Sequence, residues 1–111
     1  MVEGVNSTNV TLTWNFSLDP GVALQNVFLK RVGWRDNIFT ALLSRIANNE
    51  FSYLNKEFVK EYRANVPSEL VLLDVNEDEE YTYYAEVASI DGLSRVYIDR
   101  SPITVVTVYG K

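Results

Sequence analysis

The sequence predicts an all-β sandwich of two antiparallel sheets with Greek-key connections. Three observations carry this: clean apolar alternation from Asn9 to Ser17, turn signals at Asp19-Pro20-Gly21 and Asp91-Gly92, and seven to nine short apolar segments between such signals.

Taken in order, the first strand places Val10, Leu12, Trp14 and Phe16 on one face and Asn9, Thr11, Thr13, Asn15 and Ser17 on the other. Pro20 fixes φ at the first corner of the following turn, and Gly21 supplies the positive φ that closes it. A second strand is predicted from Ala23 to Val32. Ile38 to Ile46 fits both helical and strand periods, and its length and surroundings favour a strand. Phe51 to Tyr53 reads as a short edge piece, and Phe58 to Ala64 as a strand ahead of Pro67. Leu70, Leu72 and Val75 mark the next strand, and Tyr81, Tyr83, Ala85 and Val87 the inward face of a long one ending near Ile90. Asp91-Gly92 predicts a tight primed hairpin turn. The last strand spans about Val96 to Val108, bent near Ser101-Pro102 because proline cannot donate to a ladder.

Composition narrows the function. The 111 residues suit one domain over 1–111, and 47% hydrophobic with 13% aromatic content is a folding balance. With no Cys there is no disulfide, and with no His as well the commonest metal ligands and general base are missing. No enzyme, metal or cofactor is therefore expected, the acidic run Glu77–Glu80 reading as a solvated turn. Net charge is −5, with +3 on residues 30–63 and −6 on residues 64–111, which disfavours nucleic acid and leaves room for charge-complementary protein contacts. No apolar stretch approaches the roughly 20 residues of a membrane helix, and Met1-Val2-Glu3 does not open a signal peptide. A recombinant fragment of a longer protein, with no membrane insertion of its own, is expected.

The passage Leu70-Val71-Leu72-Leu73-Asp74-Val75, then Glu77-Asp78-Glu79-Glu80-Tyr81-Thr82-Tyr83, resembles the strand E to strand F segment of immunoglobulin domains. The resemblance implies that Tyr81 is the corner tyrosine bonding back to the turn backbone, and that Tyr83 and Trp14 stand at the two disulfide positions. Phe28 or Leu29 replaces the family's strand C tryptophan. Arg63 and Glu77 resemble the arginine-to-acid bridge of variable-type domains. Fibronectin type III domains are the alternative, since they too lack the disulfide and place a tryptophan in strand B. The long stretch of residues 32–66 suits the extra C′, C″ and D strands of a V-set-like domain instead. Over nearly the whole chain the pattern is similar to cysteine-poor immunoglobulin-like ectodomains of invertebrate surface receptors, including cnidarian allorecognition receptors. That resemblance implies an extracellular adhesion or recognition module that binds another copy of itself on an opposing cell. A structural spacer with no binding role is the alternative.

Sequons at Asn6, Asn9 and Asn15 predict a glycoprotein, with Asn9 and Asn15 on the outward face of strand B. Glycans there leave the opposite G-F-C-C′ sheet open to a partner. Its outward positions are expected to include Phe28, Lys30, Tyr84 and Glu86, with Trp34 and Phe39 nearby. Phe28 and Phe39 fit a core role equally well, and Trp34 suits partly buried packing.

Overall fold

The computed structural model describes residues 1–110. Ten strands follow in order: β1 (Val2–Val5), β2 (Val10–Thr13), β3 (Val22–Gly33), β4 (Phe39–Ile46), β5 (Ser52–Tyr53), β6 (Tyr62–Asn65), β7 (Glu69–Leu72), β8 (Tyr81–Asp91), β9 (Val96–Arg100) and β10 (Thr104–Tyr109). A 3-10 turn, Lys56–Lys60, precedes β6. The larger sheet runs β1-β10-β8-β3-β4-β5 with β9 also on β8, and the smaller one runs β2-β7-β6. The parallel β1–β10 pair is the exception in otherwise antiparallel ladders. This is the variable-type immunoglobulin arrangement, with β4 and β5 as C′ and C″ and with β9 and β10 as two halves of G. The extra strands at the β3 edge, and β6 beside β7, settle the choice against a fibronectin type III domain.

The core lies between the sheets. Val10, Leu12, Leu70, Leu72 and Tyr62 of the small sheet meet Val27, Leu29, Leu42, Tyr83, Ala85, Val87 and Val106 of the large one. Each full burial of a Leu or Val is worth about 1.5–3 kcal/mol, so the alternation in the sequence is what drives the sheets together. Leu29, fully buried, takes the strand C core position rather than Phe28. Gly4 is required where β1 packs against Val10 of β2, because a Cβ there would come within 2.5 Å of the Val10 Cγ2 methyl.

Most predicted elements are present, with shifts that have local causes. The predicted 9–17 strand stops at Thr13, so Asn15 lies in the β2–β3 loop rather than on a strand face. The Asp19–Val22 turn closes as expected, with Gly21 at φ +80° and the Val22 N–H donating to the Asp19 carbonyl at 3.2 Å. The predicted 58–64 strand is wrong over its first half. Asn55 caps a 3-10 turn there by accepting from the Glu57 N–H at 3.0 Å, and Phe58 buries beneath it. The β8–β9 turn is not a two-residue primed turn. Three residues, Gly92 to Ser94, sit between a paired Asp91 and Arg95, and Ser94 takes the positive φ of 62°.

The break at Pro102 is present between β9 and β10. Its backbone is satisfied by Ser101, whose hydroxyl accepts from the Ala85 N–H at 2.9 Å while its own N–H donates to the Ala85 carbonyl at 2.8 Å.

Trp14 and Tyr83 are both buried between the sheets. They are not stacked in place of a disulfide, however. The Trp14 indole donates to Thr104 Oγ1 at 3.1 Å, Thr104 being the residue paired with Tyr83, and the Tyr83 ring packs edge-on against Tyr62 at 6.0 Å. Tyr81 does not act as a corner tyrosine: no hydrogen bond from its hydroxyl is found among the described residues, and its ring lies 4.0 Å under the Arg31 guanidinium instead. Arg63 is exposed and forms no ion pair with Glu77 among the described residues. The arginine at this end of the sandwich comes from β3.

Candidate functional site: the outward face of the larger sheet

Side chains alternate across a strand, so the register fixes which residues share the outer face. On β8 these are Thr82, Tyr84, Glu86, Ala88 and Ile90, opposite Val32, Lys30, Phe28, Asn26 and Ala23 of β3, where a bulge near Gln25 shifts the last pairing. Phe39, Ala41 and Ser44 of β4 pair with Val32, Lys30 and Phe28. On the other side Val96, Ile98 and Arg100 of β9 pair with Ile90, Ala88 and Glu86.

At the centre of this face stands an ionic triad. Glu86 accepts from the Lys30 ammonium at 3.2 Å and from Arg100 Nε at 2.8 Å. Burial pushes the Glu86 carboxyl up, but the two hydrogen bonds and the two cationic charges outweigh it and hold the group below its usual range. Lys30 also lies 5.5 Å from the Phe28 ring centroid. Tyr84 sits beside the triad, with Phe39 edge-on at 6.2 Å and the Arg100 guanidinium 6.0 Å from its ring.

Of the six predicted binding residues, the structure gathers five on this surface: Phe28, Lys30, Phe39, Tyr84 and Glu86. Exposure separates them. Phe39 is 57% exposed, Phe28 and Lys30 are half-buried, and Tyr84 and Glu86 are covered by their neighbours. Their orientation is as expected, and their accessibility is not. Trp34, expected to pack partly buried, is instead 57% exposed in the β3–β4 turn, where its backbone N–H donates to the Glu80 carbonyl at 2.9 Å.

Sequence reasoning missed Arg100 and Ile98. Counting Asp91-Gly92 as a two-residue turn misplaces the register of β9, whereas the three-residue turn Gly92 to Ser94 sets Arg100 opposite Glu86. The charge split between residues 30–63 and 64–111, which left room for complementary protein contacts, is met in part inside the molecule, by Lys30 and Glu86.

A second polar constellation closes the end of the core. Arg31 Nη1 donates to the Tyr62 hydroxyl at 3.1 Å, the Tyr62 and Tyr83 hydroxyls are 3.1 Å apart, and Tyr83 donates to Glu79 Oε1 at 2.9 Å. With the Tyr83 proton committed to Glu79, Tyr62 donates to Tyr83. Burial pushes the Glu79 carboxyl up, and the bonds from Tyr83 and the Tyr81 N–H with the Arg31 charge reverse this only in part. Burial pushes both phenols up as well, so they stay neutral donors. This chain of donors does the joining work expected of Arg63 and Glu77.

At the predicted sequons, Asn9 and Asn15 are exposed and Asn6 is half-buried. The Asn9 side-chain oxygen accepts from the Asp74 N–H at 3.0 Å, which leaves its nitrogen free of that bond.

No protein-family model matches the sequence, and no curated protein matches it. Solved structures do share the fold. Murine CRIg superposes with a TM-score of 0.71 at 14% identity, covering 99% of this chain and 91% of that one. A chain from the structure describing T cell specificity and activation by the bacterial superantigen toxic shock syndrome toxin-1 gives 0.70 at 16% identity, covering 97% and 92%. The V domain of amphioxus IgVJ-C2 gives 0.65 at 10% identity, covering 97% and 99%.

Proposed function

The chain folds as a V-type immunoglobulin-like sandwich, and we propose that it serves as an extracellular recognition module meeting a protein partner with the outward face of its larger sheet. The observation that carries this is the composition of that face. Phe28, Phe39, Val96 and Ile98 surround a triad in which Lys30 and Arg100 both bond the Glu86 carboxylate, so the apolar area can be covered with each of these charged groups hydrogen-bonded and only a net +1 on the face. The recognition folds it resembles support the general class. Within it, the proposed occupant is another copy of the chain on an opposing cell, as in the cnidarian allorecognition receptors that the sequence resembles. The chain carries −5, but the residues aligned on this face sum to only +1, Lys30 and Arg100 against Glu86, so two copies meeting here oppose far less charge than their bodies carry. A glycan at Asn9, which bonds Asp74 before the smaller sheet's β2, would lie away from it, whereas Asn15 stands beside Asp99 and Arg100 of β9, so a glycan there would border the face. The module is proposed as one domain of a longer cell-surface protein.

Beads coated with the glycosylated protein test this through avidity, which reveals contacts too weak for dilute solution. Coated beads are expected to cluster, and Lys30→Glu, which sets two carboxylates side by side on the face, is expected to disperse them. Beads that stay dispersed at every coating density rule out self-recognition. Clustering untouched by Lys30→Glu moves the contact elsewhere.

A further inference from the structure

The larger sheet has an open edge at β9. In an antiparallel ladder, alternate residues turn their backbone groups toward the partner strand. The Asp91 N–H donates to the Arg95 carbonyl and the Ser101 N–H to the Ala85 carbonyl, which by alternation makes Ser89–Tyr97 and Val87–Asp99 the other bonded pairs. The N–H and C=O groups of Val96, Ile98 and Arg100 therefore point away from β8. None of them has a backbone partner among the described residues, because β1 pairs with β10 and stops short of β9. All five residues of β9 are exposed, Val96 at 53% and Ile98 at 62%. Natural edges are usually blunted by charged residues, proline or a bulge; Arg95 before β9, and Asp99, Arg100 and Pro102 at its far end, do this at its two ends, while the stretch Val96-Tyr97-Ile98 between them carries none of these.

We propose that β9 pairs antiparallel with β9 of a second copy, about a two-fold axis through Ile98, so that the two large sheets become one. The sequence of the strand is what selects this occupant. With the axis at Ile98, Val96 faces Arg100 of the other copy, Ile98 faces itself, and Tyr97 faces Asp99, so no like charges are opposed. All three outward-pointing residues then find bonded partners. Moving the axis to Arg100 opposes two arginines and runs the partner into Ser101-Pro102. Moving it to Val96 sets Ile98 against the turn residue Ser94. An axis at Asp99 opposes two aspartates, and one at Tyr97 bonds Val96 to Ile98 but leaves Arg100 against Ser94, so the axis at Ile98 is the register that pairs all three outward-pointing residues within β9. It uses the edge of the sheet rather than its face, so it stands or fails separately from contact between outward faces.

The chain has no cysteine, which makes a single introduced thiol a clean reporter. The axis brings Ile98 and its copy to roughly 5.5 Å between Cα atoms, within disulfide reach. Ile98→Cys is expected to form a disulfide dimer under air at least about tenfold faster than Leu93→Cys on the adjacent turn, the gain of pre-association over random encounter. Equal rates overturn the proposal. Sedimentation of the cysteine-free protein is expected to show a concentration-dependent dimer that Ile98→Pro abolishes. The Ile98 N–H faces outward, so proline there costs β9 no bond to β8. A chain that is monomeric at every concentration, or a dimer indifferent to Ile98→Pro, overturns it equally.

Discussion

Glu86 and Glu79 sit on opposite sides of one sheet and titrate in opposite senses. Glu86, held below its usual range despite burial by Lys30 and Arg100, stabilises the fold above the ordinary glutamate value of about 4.3 and loses that contribution as pH falls through its lowered folded value. Glu79, raised by burial, favours the folded state most at low pH and loses that advantage as pH rises through its raised value. Thermal unfolding from pH 3 to 7 separates them. Relative to wild type, Glu79→Gln should gain stability as pH rises through this range, and Glu86→Gln should lose it. Trp14 is the other residue with a distinct expectation, since its ring fills the space between sheets and its N–H reaches Thr104. Trp14→Ala should cost ~3–5 kcal/mol, read by urea denaturation, and a variant melting near wild type would place the core elsewhere.

Among the elements, legibility followed periodicity. The alternating strands β2 and β3 could be read directly, because one more deeply buried face imposes period two, whereas β8 is buried on both faces from Tyr83 to Ser89 and was legible only through its inward Tyr83, Ala85 and Val87. The 3-10 turn at Lys56–Lys60 was misread because Phe58 is buried in either conformation, and only Asn55 as a cap signalled the difference. Pro102 announced the break between β9 and β10, but not that Ser101 mends it. Ser101→Ala strands the buried Ala85 N–H and should cost about 1–3 kcal/mol, measurable by the same denaturation. Loss of less than a few tenths would mean that water replaces the hydroxyl.

For the whole molecule, the length of residues 32–66 carried the architecture, since only extra strands occupy so long a passage without a helix. The structure supplies them as β4, β5 and β6. The site was legible in orientation and not in exposure. Alternation gives the side of a sheet, but whether Tyr84 and Glu86 reach solvent depends on Phe39 and Arg100, which neighbouring strands bring over them. Long-range electrostatics misled in the same way: charges separated along the sequence meet across β3, β8 and β9, where Lys30 and Arg100 share Glu86 and leave only +1. What remains outside is an apolar rim on an acidic body.

That rim is the central claim, and amide chemical shifts followed over a concentration series test it most directly. Perturbations should grow on β3, β4, β8 and β9 and leave β2, β6 and β7 unmoved. Shifts confined to the three-stranded sheet, or a spectrum unchanged up to millimolar protein with no clustering of coated beads, would contradict it.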